Sequence, residues 1–344
     1  MLETSVVVDL CIAQGFAIAG VAKATRSEHD SSLVSWLEDG KQGEMQWMKR
    51  NVDIRLDPRN LVDGATSVIC VADRYAQLEE KPTDIRSGRV ARYARGCDYH
   101  KVMKKRLHKV CDALKAQLPE ETFRGCVDTA PLLEREFAQR AGIGAIGKHT
   151  LLIEQGIGSW LLLGAIVTTA KINPTVPVQA NPCATCTRCI DACPTEAITP
   201  WEIDARKCIS YLTIEHRSGI DPKLYPKIGD WIFGCDICQE VCPHNSPNKL
   251  TANAKIHDAY ASKLDSLNVF DVLSWDDEDR VDNFRGSAMK RAKLGMIRRN
   301  AVIVAGNILS KRDDEELLTK LNAIAADDSE NQLVRDAARV VLGK

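Results

Sequence analysis

The sequence lacks a hydrophobic run long enough to cross a membrane. Its longest stretch without a charged residue, 155–170, contains several glycines and threonines and falls short of the ~18 apolar residues that a membrane helix needs. The stretch 1–16 also does not fit an export signal, because Glu3 and Asp9 interrupt its apolar residues and no Lys or Arg precedes Lys23. We therefore expect a cytoplasmic protein without membrane contact.

The chain also has almost no net charge. Lys and Arg total 46 and Asp and Glu total 47, which leaves a formal charge of -1. Such a balance excludes a general electrostatic attraction to nucleic acid, so any attraction of that kind has to be local. At 344 residues, and with a prior of ~100–200 residues per domain, two or three domains are expected.

Cysteine, in contrast, is abundant and unevenly distributed. Eight of the 13 cysteines fall within 183–242. In a large cytosolic chain, clustered cysteines favour metal binding over disulfides. The remaining five are expected to be ordinary core or surface thiols: Cys11, Cys70, Cys97, Cys111 and Cys126.

The clustered cysteines follow the spacing of bacterial ferredoxins. The segment 183–194 reads C-x2-C-x2-C-x3-C-P, and in two-cluster proteins the fourth cysteine of this run binds the other cluster. The segment 235–243 supplies one thiolate fewer, and Cys208 is the cysteine left to replace it. The spacing predicts two 4Fe-4S clusters, one on Cys183, Cys186, Cys189 and Cys242 and the other on Cys193, Cys208, Cys235 and Cys238.

The alternative for these cysteines is structural zinc. Paired C-x2-C units also bind zinc. The doubled C-x3-C-P endings, which place Pro194 and Pro243 after the last cysteine of each run, favour the clusters.

Hydrophobic periodicity predicts the elements around the cysteines. Apolar residues at helical spacing predict a helix after Asp98, and 131–141 predicts another. The segments 67–73 and 150–155 predict strands, the latter forming a hairpin through 156–158 with a strand that is buried on both faces.

Composition changes divide the chain into three units. A Pro-rich stretch at 172–182 and a polar segment after Pro243 mark the boundaries, so we predict units at 1–175, 176–248 and 249–344. The first unit mixes helices and strands, and the last is helical. Segments beginning at 297 and 333 align at an offset near the period of paired-helix repeats. The fold class is therefore α+β and multidomain, with HEAT-like helical repeats at the end.

The glycines at 142–147 match the dinucleotide fingerprint, and with Lys148 they nearly match a phosphate loop that ends in His149 instead of Ser or Thr. Both motifs need a preceding strand and a following helix. Here a predicted helix precedes and a predicted strand follows, so we interpret the glycines as a tight turn.

Several stretches together resemble the epoxyqueuosine reductases, a family of cobalamin-dependent iron–sulfur enzymes of queuosine synthesis in tRNA. The resemblance rests on 54–69, 91–107, 128–153, 204–220, the two cysteine runs and 286–307, in this order. It implies reduction of the epoxide of epoxyqueuosine to the cyclopentene of queuosine at the wobble position of a tRNA. It also implies a first domain that binds cobalamin in a fold shared with reductive dehalogenases, clusters that feed it electrons, and helical repeats that hold the RNA. We further expect an external electron donor and a monomer.

The resemblance implies that Asp128 is the proton donor and that Arg135 contacts the substrate. Taken without the family, Asp128 is an ordinary helix cap ahead of Pro131. Arg135 would be an exposed partner for Glu134 or Glu136.

Further residues correspond to the cofactor site of the family. Asp98 and His100 are otherwise a helix N-cap and a first-turn residue, and Ser210 and Tyr211 are otherwise packing residues beside Cys208. The residues that the resemblance assigns to cofactor binding are Arg55, Asp98, Tyr99, His100, Asp128, Ser210 and Tyr211.

A basic segment precedes and enters the helical tail. Between 284 and 300 the chain carries six Lys or Arg and no Asp or Glu. Such a segment suits phosphates but also fits a solvated helix face. The resemblance favours tRNA contacts by Lys290, Arg291, Lys293, Arg298 and Arg299.

Two other functions fit parts of the sequence. One is a cobalamin iron–sulfur reductase of a small molecule, for which the basic helical tail would have no use. The other is a non-enzymatic electron carrier or RNA-binding protein, which would leave a cobalamin domain unexplained.

Overall fold

A computed structural model describes residues 2–76, 84–177, 181–246 and 256–344. The α-helices are α1 Thr4–Ala13, α2 Asp30–Glu38, α3 Val52–Leu56, α4 Tyr99–Gln117, α5 Glu134–Arg140, α6 Arg188–Asp191, α7 Ile209–Ile214, α8 Tyr225–Ile228, α9 Ile237–Glu240, α10 Val269–Val272, α11 Asp277–Asn283, α12 Leu294–Leu309, α13 Glu315–Ala326 and α14 Gln332–Val341. The strands are β1 Ile18–Lys23, β2 Ser67–Arg74, β3 Ser87–Val90, β4 Phe123–Cys126, β5 Ala145–Ile146, β6 Leu152–Ile153, β7 Leu161–Thr168, β8 Ile198–Thr199, β9 Glu202–Ile203, β10 Trp231–Phe233 and β11 Ser266–Asn268.

The first half of the chain is built on an antiparallel sheet with the strand order β1-β2-β7-β4. Strand β2 is buried along its whole length, and β7 along most of it, because both carry apolar β-branched residues on either face. Helices α1 and α4 cover one face of the sheet, and α5 covers the other. The predicted strand at 67–73 and the predicted helix after Asp98 are confirmed. The Asp98 carboxylate caps α4 by accepting from the His100 N–H.

The predicted hairpin between β6 and β7 is reduced to one antiparallel bridge, in which Glu154 and Gly158 exchange two backbone hydrogen bonds. The strands themselves do not pair: β6 pairs with the two-residue strand β5, whereas β7 pairs with β2 and β4 in the large sheet. The apolar run of β7 can be buried on both faces only in the middle of a sheet. Gly147 opens the tight turn between β5 and β6, where its N–H donates to Leu151 O.

A second, smaller sheet joins the three predicted units. Strand β3 pairs in parallel with β10 and antiparallel with β11, so each predicted unit contributes one strand. One hydrophobic core then extends from β3 through α7 and β10 to α12, α13 and α14. The predicted limits therefore do not separate independent cores, and the limit at 248/249 lies outside the described residues.

The end of the chain is helical, as predicted. The two aligned segments lie on α12 and α14, which pack against each other and against α13. Their assignment as HEAT-like repeats, and the likeness of the first unit to reductive dehalogenases, stay predictions.

Helix α12 carries a buried polar pair. Arg299 is fully buried, and its guanidinium donates to the carbonyls of Leu212, His216 and Ser218. Asn300 beside it donates to Thr213 O and to Ile232 O. These bonds attach the helical tail to α7 and to β10.

This burial corrects the prediction that Arg299 binds tRNA, because its donors are occupied inside the protein. Arg298 is also corrected. Its guanidinium donates to both carboxylate oxygens of Glu330, at 2.9 and 2.6 Å, and to Leu273 O, and little of its side chain reaches solvent.

Four of the isolated cysteines, Cys11, Cys70, Cys111 and Cys126, are buried thiols, and Cys97 is half-buried. In the described parts of the chain, no helix combines the length and the apolar character that a membrane crossing requires.

The Arg299→Met variant should unfold more easily by at least about 3 kcal/mol, because each buried carbonyl that loses its donor costs ~1–3 kcal/mol. The measurement is denaturant unfolding under anaerobic conditions. Arg285→Met is the matched control, since Arg285 is exposed, and surface changes usually stay within about 0.5 kcal/mol. Equal stabilities of the two variants would contradict the structural role of Arg299.

Candidate active site and cluster cavity

Asp128 lies in the loop between β4 and α5, where the large sheet ends. Its backbone adopts a φ of 46°, in the left-handed region that non-glycine residues rarely occupy. The Asp128 N–H donates to Glu134 Oε1 at 2.5 Å, so the carboxyl group at the start of α5 holds this conformation in place. The Asp128 side chain itself is 56% exposed. It is therefore a fixed carboxyl group that solvent or a ligand can reach.

A line of hydrogen bonds runs from Asp128 to the basic segment. Asp128 Oδ2 lies 2.8 Å from His100 Nε2, and His100 Nδ1 lies 2.8 Å from Asp98 Oδ1. The second oxygen of Asp98 pairs with Lys290. We refer to Asp128, His100, Asp98 and Lys290 as the relay. The two ring nitrogens of His100 thus each face a carboxylate.

This arrangement favours a charged His100 and a charged Asp128. Burial alone would lower the pKa of His100, but the hydrogen bonds to Asp128 and Asp98 outweigh it and raise that pKa above 6.5. Burial would likewise raise the pKa of Asp128, but the hydrogen bonds from His100 and Tyr99 and the charge of Arg291 hold it below its usual value. The sequence alone does not give the direction of this shift in the pKa of Asp128. The two opposite shifts favour His100 as the carrier of the proton between the two groups.

Glu134 is a functional candidate that the sequence did not identify. Burial first, and the Asp128 carboxylate second, raise the pKa of Glu134 to about 8. Glu134 therefore keeps its proton at neutral pH, next to a carboxylate that has lost its own. The sequence shows Glu134 only as a neighbour of Arg135, because the burial that protonates it comes from other segments.

Two arginines border Asp128 and Glu134. Arg135 is exposed to solvent, and its Nη1 donates to Thr150 O at 3.0 Å. We refer to the site that Asp128, Glu134, Arg135 and Arg55 share as the cleft. Arg55 is buried, and its Nε has no hydrogen-bond partner among the described residues. The carboxyl groups of Glu134 and Asp128 act on its pKa, so Arg55 faces the same cleft.

The rim of this cleft is basic and aromatic. Trp47 is 42% exposed, and the guanidinium groups of Arg55 and Arg291 lie 5.7 and 5.9 Å from the centre of its ring. Arg291 pairs with Glu215, and Lys290 ends the relay. The predicted basic segment therefore separates into buried arginines at 298–299 and exposed groups beside the cleft. Trp47 has no sequence signal of its own.

Four cysteines from the two cysteine runs surround one cavity. Cys183, Cys186, Cys189 and Cys242 line a space of about 200 Å³. Among residues 2–76, 84–177, 181–246 and 256–344, no group of three or more His, Cys, Asp or Glu side chains converges on a point as single-ion ligands do. These thiols surround a volume instead, which suits a cluster whose irons each take one cysteine.

The other four cysteines form a second group. Burial first, and then the charge of Cys193, raises the pKa of Cys208. Burial first, and then the charges of Cys238 and Cys208, raises the pKa of Cys235. The charge of Cys238 also reaches Arg135. The second group therefore lies next to the cleft.

Backbone N–H groups point at the sulfurs in both groups. Lys148 N–H lies 3.3 Å from Cys183 Sγ, and Ala197 N–H lies 3.4 Å from Cys193 Sγ. Such donors stabilise the negative charge of thiolates bound to iron. Both sets of sulfurs thus have surroundings that fit iron–sulfur clusters.

Two predicted cofactor contacts are corrected by the structure. Tyr211 is buried, and its hydroxyl accepts from Glu44 N–H at 2.6 Å, so it fastens α7 to the loop at 44. Asp98 is 2% exposed and reaches a ligand only through His100 or Lys290. Ser210 lies half-buried in the first turn of α7 beside Cys208.

The chain matches two family models. The model described as epoxyqueuosine reductase QueG, DUF1730, matches residues 55–129, which end beside Asp128. The model described as a 4Fe-4S double cluster binding domain matches residues 182–245, which contain all eight clustered cysteines.

Curated relatives and solved structures match almost the whole chain. An epoxyqueuosine reductase of Xanthomonas campestris is 38% identical over 328 residues, covering 94% of this chain and 90% of the relative. One from Synechococcus is 39% identical over 295 residues, covering 84% and 90%. A crystal structure of epoxyqueuosine reductase with an epoxyqueuosine-modified tRNA stem loop has a TM-score of 0.88 at 25% identity, covering 98% of this chain and 89% of that one. The enzyme of Streptococcus thermophilus has a TM-score of 0.86 at 26% identity, with the same coverage.

The relay predicts the effect of removing one charge. Asp98→Asn should lower the pKa of His100, because one of the two carboxylates that raise it becomes neutral while Asn still caps α4. Histidine labelled with carbon-13 allows that pKa to be measured by NMR. Asp112→Asn, an exposed change on the same helix, is the control. An equal His100 pKa in both variants would show that Asp98 does not act on the imidazole.

Proposed function

The chain belongs to the epoxyqueuosine reductase family of oxidoreductases, and on this premise we propose that it reduces epoxyqueuosine in tRNA to queuosine. Converting an epoxide into an alkene expels the oxygen as water and consumes two electrons and two protons. The site has to supply both. The observation that carries the proposal is a cleft in which an acid relay lies beside a cysteine group of the double-cluster domain.

The electrons come through two 4Fe-4S clusters, since the chain contains a double cluster binding domain. We propose that Cys183, Cys186, Cys189 and Cys242 hold the first cluster, because they line one cavity. We propose Cys193, Cys208, Cys235 and Cys238 for the second. The charge of Cys238 acts on Arg135, which supports a second cluster beside the cleft.

The cleft also fits a cobalamin. When bound, this cofactor supplies a cobalt centre that can be strongly reduced. Arg55 would hold it, because its buried Nε has no acceptor within the described parts of the chain and amide carbonyls on a ligand would provide one. Tyr99 and His100, on the first turn of α4, and Asp128 would border it.

The cleft holds the two protons that the reaction consumes. Asp128 is the exposed member of the relay, and we propose that it passes a proton from His100 to the epoxide oxygen: the His100 imidazolium protonates Asp128 through their hydrogen bond, and Asp128 donates that proton as the carbon–oxygen bond breaks. Glu134, neutral up to a pH of about 8, holds the second proton next to it. We propose that Arg135, beside Glu134, orients the substrate.

The surface beside the cleft is suited to tRNA. Lys290, Arg291 and Lys293 are exposed there, and their charges suit phosphates. Trp47 offers a ring on which an unpaired base can stack. A reductase of a small molecule would have no use for this surface. An external electron donor, a monomeric state and a cytoplasmic location complete the proposal.

Asp128→Asn should lower the single-turnover rate of epoxyqueuosine reduction in tRNA by ~10²–10⁴-fold, the usual contribution of a positioned acid. The assay measures the mass of the nucleoside after incubation of reduced protein, cobalamin and modified tRNA. Cluster content and tRNA binding are measured first, and Asp112→Asn is the control for loss of one exposed carboxylate. A rate near that of the wild type would remove Asp128 from the proposed mechanism.

Lys293→Glu should weaken tRNA binding and reduce the salt dependence of the affinity by about one unit of slope, since each phosphate contact releases about one counterion. Lys311→Glu is the matched control. Lys311 is exposed just beyond the other end of α12, roughly 27 Å away at a rise of 1.5 Å per residue. If both variants bind tRNA equally well, the proposed RNA surface is misplaced.

A further inference from the structure

The segment 147–149 lies against the first cluster cavity, although the sequence indicated only a tight turn there. Lys148 N–H points at Cys183 Sγ, and Lys148 Nζ donates to the carbonyls of Ala184 and Cys186 at 2.9 and 3.0 Å. A Cβ added to Gly147 would lie 2.6 Å from Ile153 Cδ1, 3.1 Å from His149 Cε1 and 3.4 Å from Cys183 Sγ. The Gly147 backbone therefore lies close to both the imidazole and the thiol. The segment forms part of the cavity wall.

His149 has a defined tautomer. Its Nδ1 accepts the Leu151 backbone N–H at 3.1 Å, and a backbone N–H can only donate. Nδ1 therefore carries no proton. An imidazole ring keeps at least one N–H, so the proton of His149 resides on Nε2.

This Nε2–H is buried without an acceptor among the residues that the structure describes. His149 is 2% exposed and lines the cavity that Cys183, Cys186, Cys189 and Cys242 surround. Buried donors are nearly always paired, so an unpaired one in a cavity wall indicates an acceptor inside the cavity. His244 lines the same cavity, but its Nε2 already lies 2.9 Å from Pro182 O. Of these two histidines, His149 has the free donor.

We propose that His149 Nε2–H donates a hydrogen bond to a sulfur of the first cluster and thereby raises the reduction potential of that cluster. A donor to a sulfur stabilises the reduced cluster, which carries one more negative charge. His149 thus acts on the reaction only through the potential of the cluster. The inference rests on the proposed ligand set of the first cluster.

Two substitutions distinguish the Nε2–H donor from the hydrogen bond that Nδ1 accepts from Leu151 N–H. In His149→Asn, the side-chain oxygen can still accept from Leu151 N–H, but the amide nitrogen is too short to reach the position of Nε2. In His149→Gln, the longer amide brings an N–H back to that position. We expect the Asn variant to lower the potential of the first cluster by at least the 59 mV of a tenfold change in a one-electron equilibrium, and the Gln variant to recover most of this shift.

The experiment is a reductive titration of anaerobic protein followed by electron paramagnetic resonance. Iron and sulfide are counted first, and Cys186→Ala and Cys238→Ala assign the signals of the two clusters. If Cys186→Ala leaves both signals unchanged, the proposed ligand set of the first cluster is wrong. This outcome is distinct from the one that would show a wrong role of His149. An unchanged first potential in His149→Asn, or equal shifts of both clusters, overturns the proposal.

A measurement on the wild type needs no variant to fold. In protein labelled with nitrogen-15 at histidine, electron–nuclear double resonance of the reduced first cluster should show a coupled histidine nitrogen. Absence of this coupling overturns the proposal even if His149→Asn loses its cluster.

Discussion

The burial of Arg299 and Asn300 in helix α12 is the constraint on which the arrangement of the second half of the chain depends. Carbonyls of α7 and of the turn after it, and one of β10, have these two side chains as donors. Cys208 is the residue just before α7, and Cys235 lies two residues after β10. The helical tail therefore fixes the backbone next to two cysteines of the second group. Loss of this pair would affect the cluster module and the tail together, because both belong to one core.

The cleft depends on a different balance, that between burial and charge. The Asp128 backbone N–H donates to the Glu134 carboxyl group, yet the Asp128 carboxyl group favours its charged form and that of Glu134 its neutral form. His100 stabilises the charge of Asp128, and that charge in turn opposes ionisation of Glu134. A reduction that consumes two protons can use this arrangement, since Glu134 holds one proton and His100, hydrogen-bonded to Asp128, holds the other. The left-handed backbone of Asp128 is the conformation that brings them together.

The cysteine cavities, the cleft and the basic rim follow one another in space. His149 lines the first cavity, and the next residue, Thr150, accepts a hydrogen bond from Arg135. Arg135 in turn lies beside Glu134 in the cleft. Lys290 connects the relay to the exposed basic groups beside Trp47. Electron carriers, acids and a surface for phosphates are thus parts of one continuous site, which the small sheet of β3, β10 and β11 holds together.

Sequence spacing by itself determined the features that depend on near neighbours. The cysteine runs, the cap of α4 by Asp98 and the strand β2 are local patterns, because ligand spacing, capping and periodicity act over a few residues. Tertiary structure decided the rest. Arg299 is buried by α7, some 87 residues earlier in the chain, Glu134 is neutral because distant segments desolvate it, and β7 joins β2 instead of β6. His149 faces a cavity that cysteines from two later segments form. Burial and long-range charge determine what these side chains do, and neither is a property of the residues beside them in the sequence.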